Sequence, residues 1–94
     1  MTGYMPYYLG WTRSNIAATN AVGIHHPQGD IKKISIENDA VTSYDRIQNW
    51  VDNNGNIIST TQKNTHWKVV FDVGTTEGGS SGSPLMNQNH LVVG

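Results

Sequence analysis

Small residues crowd positions 75–84, Thr-Thr-Glu-Gly-Gly-Ser-Ser-Gly-Ser-Pro, and set a serine where acyl-transfer chemistry could occur. A hydroxyl becomes a useful nucleophile when a base takes its proton and N–H donors meet the charge that develops on the attacked carbonyl. Around Ser81 the neighbours are Gly and Ser, so backbone N–H groups can converge beside its hydroxyl. The candidate bases are His25, His26, His66 and His90, with Asp30 and Asp72 as candidate orienting carboxylates. Structural or exposed roles are expected for these histidines rather than a base for Ser81. His25 and His26 are adjacent in an extended segment, so their side chains point to opposite faces and do not converge on one ion. No metal site and no cofactor is expected.

The elements that must position this loop read as short strands between turn residues. Residues 4–11 are aromatic-rich and suit a strand, and residues 12–20 read as a loop. Residues 21–26 form a second strand stopped by Pro27-Gln28-Gly29-Asp30, a turn signal. A third strand covers 31–36, with Ile31, Ile34 and Ile36 in imperfect alternation. Residues 43–51 fit either a helix behind a Ser43 cap or a strand. Asn54-Gly55, within 53–56, is a strong hairpin signal. Residues 66–73 are the best single strand by composition, rich in β-branched and aromatic side chains. Residues 84–86 and 91–93 bracket 87–90 as a closing hairpin. Trp11, Trp50 and Trp67 are expected in the core and Lys32-Lys33 on a solvated face. The whole reads as one all-β domain, residues 1–94.

Composition narrows the function classes. Six Lys and Arg stand against seven Asp and Glu, a net charge of −1, with no basic stripe to bind nucleic acid. No window approaches the ~20 apolar residues of a membrane-spanning helix. Cysteine is absent, so neither disulfides nor thiol chemistry is available. The first six residues lack a basic region followed by an apolar stretch, so no signal peptide is expected there, and the compartment stays open.

Two serine-hydrolase templates fit the loop formally. Gly78-Gly79-Ser80-Ser81-Gly82 matches the Gly-x-Ser-x-Gly elbow of α/β-hydrolases, with Ser80 as nucleophile, but that elbow needs a helix directly after the serine. Gly82, Ser83 and Pro84 oppose one, and 94 residues are too few for that fold. The alternative needs strand, glycine turn, serine and strand, and all four occur in order. Gly79-Ser80-Ser81-Gly82-Ser83-Pro84 resembles the nucleophile loop of chymotrypsin-like serine endopeptidases. Tyr8-Leu9-Gly10-Trp11, Ile24-His25-His26-Pro27 with Asp30, Lys33-Ile34-Ser35 and Leu91-Val92-Val93-Gly94 extend the resemblance to the bacterial lysyl endopeptidase-like group. The V8-type glutamyl endopeptidases are similar more loosely, through Thr75-Thr76 and Gly82-Ser83-Pro84.

The resemblance implies part of the second β-barrel of a trypsin-like double barrel; the strand edges such a part exposes would be covered by oligomerisation, or the chain would await a first barrel in trans. It implies Ser81 as nucleophile, the Gly79 and Ser81 N–H groups as the oxyanion hole, and Thr75, Thr76 and Glu77 at the approach to the specificity pocket. Ser80 stands where animal relatives carry an Asp paired to a new N-terminus, so activation through that ion pair is not expected. The family's catalytic His and Asp belong to the first barrel, upstream of the aromatic-Gly-Trp strand that lies here at residues 8–11. The acidic residue that binds the substrate lysine follows the last strand seen here. The expected function is therefore that of a serine endopeptidase fragment, hydrolysing peptide bonds after Lys in the parent family and inactive by itself. The alternative is a non-catalytic interaction or assembly module. The implied partners are a peptide or protein substrate and further copies of the chain, paired through exposed strand edges. The family is secreted.

Overall fold

The computed structural model describes Gly3 and residues 5–94. The signal-peptide reading and the start of the first expected strand fall on Met1, Thr2 and Tyr4, which lie outside the described residues. Among the described residues seven strands follow in order: β1 (Ala21–His25), β2 (Lys33–Glu37), β3 (Thr42–Ser43), β4 (Gln48–Val51), β5 (Ile57–Thr61), β6 (Trp67–Lys68) and β7 (Leu85–Met86). A 3-10 turn, Pro27–Gly29, joins β1 to β2. The chain is all-β.

The sheet β2-β1-β7 is the frame of the molecule. Strand β1 pairs antiparallel with β2, from Ala21 opposite Glu37 to His25 opposite Lys33. On its other edge β1 takes β7, with Val22 opposite Met86 and Gly23 opposite Leu85. Alternation along β1 buries Ala21, Gly23 and His25 and leaves Val22 and Ile24 half-buried. The outer edge of β2 is extended by a bridge between Ile36 and Val73, whose N–H and carbonyl groups exchange bonds of 2.8 and 3.0 Å. Val73 therefore stands beyond β2 and Leu85 beyond β1, so residues 74–84 must cross the sheet between them. That crossing is the serine loop.

Two short sheets complete the fold, β3 with β6 and β4 with β5. The β4–β5 hairpin turns through residues 52–56, longer than the two-residue turn that Asn-Gly suggests. Asp52 O accepts the Gly55 N–H at 3.1 Å, and the Asp52 N–H donates to Asn56 O at 2.9 Å. Gly55, at φ +84°, supplies the left-handed residue such a loop requires. The Asp52 carboxylate accepts the N–H groups of Asn54 and Asn56 at 2.8 and 2.9 Å, an Asx turn that fixes the loop. The closing hairpin forms as expected: Val93 N–H donates to Leu85 O, and buried Asn87 accepts the N–H groups of Asn89 and Leu91.

The apolar core is small: Ala18, Ala21 and Val41, with Trp67, Val69 and Leu85 packed against them. Several expectations need correction. Residues 5–10 form no strand, and Trp11 touches the sheet only through a parallel bridge to Val92. Of residues 66–73 only Trp67 and Lys68 are paired as a strand, because β3 offers just two partners. Residues 43–51 contain no helix; their C-terminal part is β4. Trp11 is 71% exposed and Trp50 also faces solvent, so of the three tryptophans only Trp67 packs on the core.

Candidate active site

The loop over the sheet is organised from Ser80 outward. Ser80 is 8% exposed and points down, whereas Ser81 is exposed. The Ser80 hydroxyl meets His25 Nδ1 at 2.7 Å, and His25, 3% exposed, comes from the last position of β1. On the other side of the ring, His25 Nε2 lies 3.0 Å from Ser35 Oγ. Strand register explains this contact: Ser35 is opposite Gly23, two residues before His25 on the same face, so no side chain separates them.

The hydrogens along this chain follow from its ends. The Ser35 hydroxyl donates to Thr75 O at 2.9 Å, so its oxygen accepts from His25 Nε2–H. That leaves His25 Nδ1 as the acceptor of the Ser80 hydroxyl proton, while Ser80 Oγ accepts the Glu77 N–H at 3.2 Å. Every link is satisfied in one direction, and among the described residues no buried side-chain polar atom is left without a partner. The Nε2–H tautomer of His25 is thus assigned from the network.

Three successive peptide units are pinned by their carbonyls or amides. Gly78 O accepts the Gln28 N–H from the 3-10 turn. The Ser80 N–H donates to Glu77 O at 2.9 Å, and Ser80 O accepts the Ser83 N–H at 3.1 Å. In a trans peptide the N–H points opposite its carbonyl, so pinning Gly78 O and Ser80 O also fixes the Gly79 and Ser81 N–H groups. Among the described residues neither of these two N–H groups is spent on an internal hydrogen bond. Gly79 lies at φ +95° against the turn.

Of the other residues singled out, Thr75 and Glu77 line an open cleft of about 620 Å³ between the serine loop and the β1–β2 connection; Thr76 is exposed outside it. Asp30 and Lys33 border the same cleft. His26 is exposed and holds Asp30 O through Nδ1 at 2.9 Å, so the adjacent histidines do diverge. His66 and His90 are exposed. Among the described residues no histidine is hydrogen-bonded to Ser81. His25 is the site residue that sequence reasoning placed in a strand without seeing its contact with the loop. The carboxylates of Glu37, Asp39 and Asp72 come within 4.8 Å of one another, a donor set suited to a hard cation. Glu37 and Asp72 already accept the N–H groups of Val70 and Asn38, which explains the cluster structurally.

Residues 2–94 match the family model described as the lysyl endopeptidase C-terminal domain. The chain belongs to that family. The match spans the serine loop, the β1–β2 connection and the closing hairpin together.

Proposed function

We propose that this lysyl endopeptidase C-terminal domain carries the nucleophile half of a trypsin-like serine endopeptidase site, with Ser81 as nucleophile and hydrolysis after lysine as the reaction. The observation that carries the reading is the alternation at 79–81. Ser80 is buried and anchored, which leaves Ser81 exposed between two N–H donors, its own and that of Gly79, that are not consumed by the fold. In this reaction the Ser81 hydroxyl attacks the scissile carbonyl carbon, and its proton passes to a base. The carbonyl oxygen becomes an oxyanion held by the Gly79 and Ser81 N–H groups. Thr75, Thr76 and Glu77 form the approach along which the substrate side chain enters.

On this reading the base is supplied by a partner barrel: His25 is committed to Ser80 and Ser35, and among the described residues none of His26, His66 and His90 is hydrogen-bonded to Ser81. A complementary β-barrel bearing His and Asp would complete the site. A fluorophosphonate probe and a Lys-directed chromogenic peptide test this, with the chain alone and mixed with the N-terminal barrel of a lysyl endopeptidase. Negligible turnover alone and Ser81-dependent labelling in the mixture are expected. Ser81-dependent turnover by the chain alone would place the base within it, and a label on Ser80 would sink Ser81 as nucleophile.

A second reading, a non-catalytic assembly module, is favoured by one observation. Large apolar side chains including Trp11, Ile47, Val51, Ile57 and Ile58 lie exposed. Unpaired strand edges and apolar faces of this kind invite pairing with another copy.

A further inference from the structure

We propose that His25 is the positioning residue of the serine loop: its imidazole, held between Ser80 and Ser35, sets the orientation of the peptide unit that presents the Ser81 N–H. The inference rests on the reading of Gly79 and Ser81 as the oxyanion donors and assigns the group that aims the second of them.

The contact has the parts of a Ser–His dyad, but its place in the fold excludes direct chemistry. Ser80 and His25 are both buried, at 8% and 3% exposure, so a polypeptide carbonyl cannot reach the Ser80 hydroxyl. What a buried, fully satisfied dyad can do is fix geometry. The 80–81 peptide unit is joined to the Ser80 Cα, and Ser80 is tied at its side chain by His25 and at its amide and carbonyl by Glu77 and Ser83. Rotation of Ser80 would re-aim the Ser81 N–H and carry the Ser81 side chain with it. The ring is itself fixed at both nitrogens. Ser35 holds Nε2 while donating to Thr75 O, so the relay ties the loop at residue 75 as well as at residue 80. The residue that follows His25 and Pro27, Gln28, pins the Gly78 carbonyl and so the Gly79 N–H. The end of β1 and the turn that follows it thus orient the two donors between them.

The test uses the full chain labelled with 15N. Ring spectra of His25 are expected to show Nε2 protonated and Nδ1 as an acceptor, a measurement that needs no variant. Ser80→Ala should shift the Nδ1 resonance, move the Ser81 amide signal and speed hydrogen exchange at the residue 80 amide, which is bonded to Glu77 O, roughly fivefold, the loss of about one net hydrogen bond. The amides of Asn49 and Thr60 in the remote β4–β5 hairpin should stay in place. Ser80→Thr, which keeps the hydroxyl, should restore the Ser81 signal. A ring protonated at Nδ1 would overturn the proposal. So would a Ser81 amide unchanged in Ser80→Ala, or equal changes in the hairpin, which would mark a general loosening. Failure of Ser81 as nucleophile has a different signature: the probe labels elsewhere or nowhere while the ring and amide signals behave as stated.

Discussion

Gly79 stands at φ +95°, and a Cβ there would meet His26 O at 3.0 Å and the backbone nitrogens of Gln28 and Gly29 at 3.1 Å. Those neighbours are main chain in a tight turn and cannot swing aside as a flexible side chain would. Gly79→Ala should therefore cost about 1–3 kcal/mol in stability. It should also abolish Ser81 labelling in the complemented site, because relief of the clash turns the Gly79 N–H away. Gly78→Ala is the internal control, since a Cβ there meets nothing within 4 Å. Its stability should change by no more than about 0.5 kcal/mol. Paired urea melts and labelling rates check both, and equal effects from the two substitutions would show that Gly79 has no special demand. At this scale the loop was legible, because Gly79 and Gly82 supply the left-handed backbone a tight turn needs and Pro84 cannot donate to a ladder. The partner of Ser80 was not, since His25 lies 55 positions away and only the sheet register brings it under the loop.

Strand β2 shows why the elements were legible in kind but not in orientation. Its sequence alternates Ile34 and Ile36 with Ser35 and Glu37, and hydrophobicity alone would turn the isoleucines inward. The fold does the reverse: Ser35 and Glu37 are buried, while Ile34 is 55% exposed. Ser35 is drawn in by His25 and Thr75 O, and Glu37 by the N–H groups of Asp39 and Val70. Polar satisfaction fixed the face, and no single-strand pattern reveals partners from residues 70–75. The β4–β5 hairpin was legible from Asn54-Gly55, but its length was set by Asp52. That carboxylate sits below its usual value of 3.8, chiefly through the Asn56 N–H and then the Asn54 N–H, with slight desolvation opposing. A lowered value means the charged form is favoured in the fold. The turn is therefore supported above about pH 3.8 and loses that support as pH falls through the lower folded value. The amide signals of Asn54 and Asn56 should titrate together with a midpoint below 3.8, and Asp52→Asn should remove that titration. A midpoint at or above the usual value would show that the Asx turn does not hold in solution.

The whole molecule is more open than its size requires. Its accessible surface is 7326 Å², against about 5,400 Å² for a folded monomer of this mass. The radius of gyration is 15.4 Å, where a compact chain of this length has about 12 Å. The excess of about 1,900 Å² is roughly twice what one partner gives to a standard interface, and falls in the range of permanent ones. One apolar patch lies at the β4–β5 hairpin, a two-stranded sheet that carries Val51, Ile57 and Ile58 in the open, with Ile47 just before it. An isolated hairpin is marginally stable in water, so a covered face would stabilise the element as well as hide it. The chain by itself should accordingly self-associate at micromolar concentration and bind a hydrophobic dye, with a dimer the simplest closed form. Ile58→Lys separates association from folding, because Ile58 is 68% exposed and the substitution removes little packing within the chain. It should weaken the dimer about tenfold or more by placing a charge in the contact, with the His25 and Ser81 signals unchanged. If a complementary barrel is the natural cover, adding it should displace the second copy and restore a one-to-one complex. Sedimentation showing a clean monomer without dye binding would mean the open face is tolerated in water, and the assembly reading would fall.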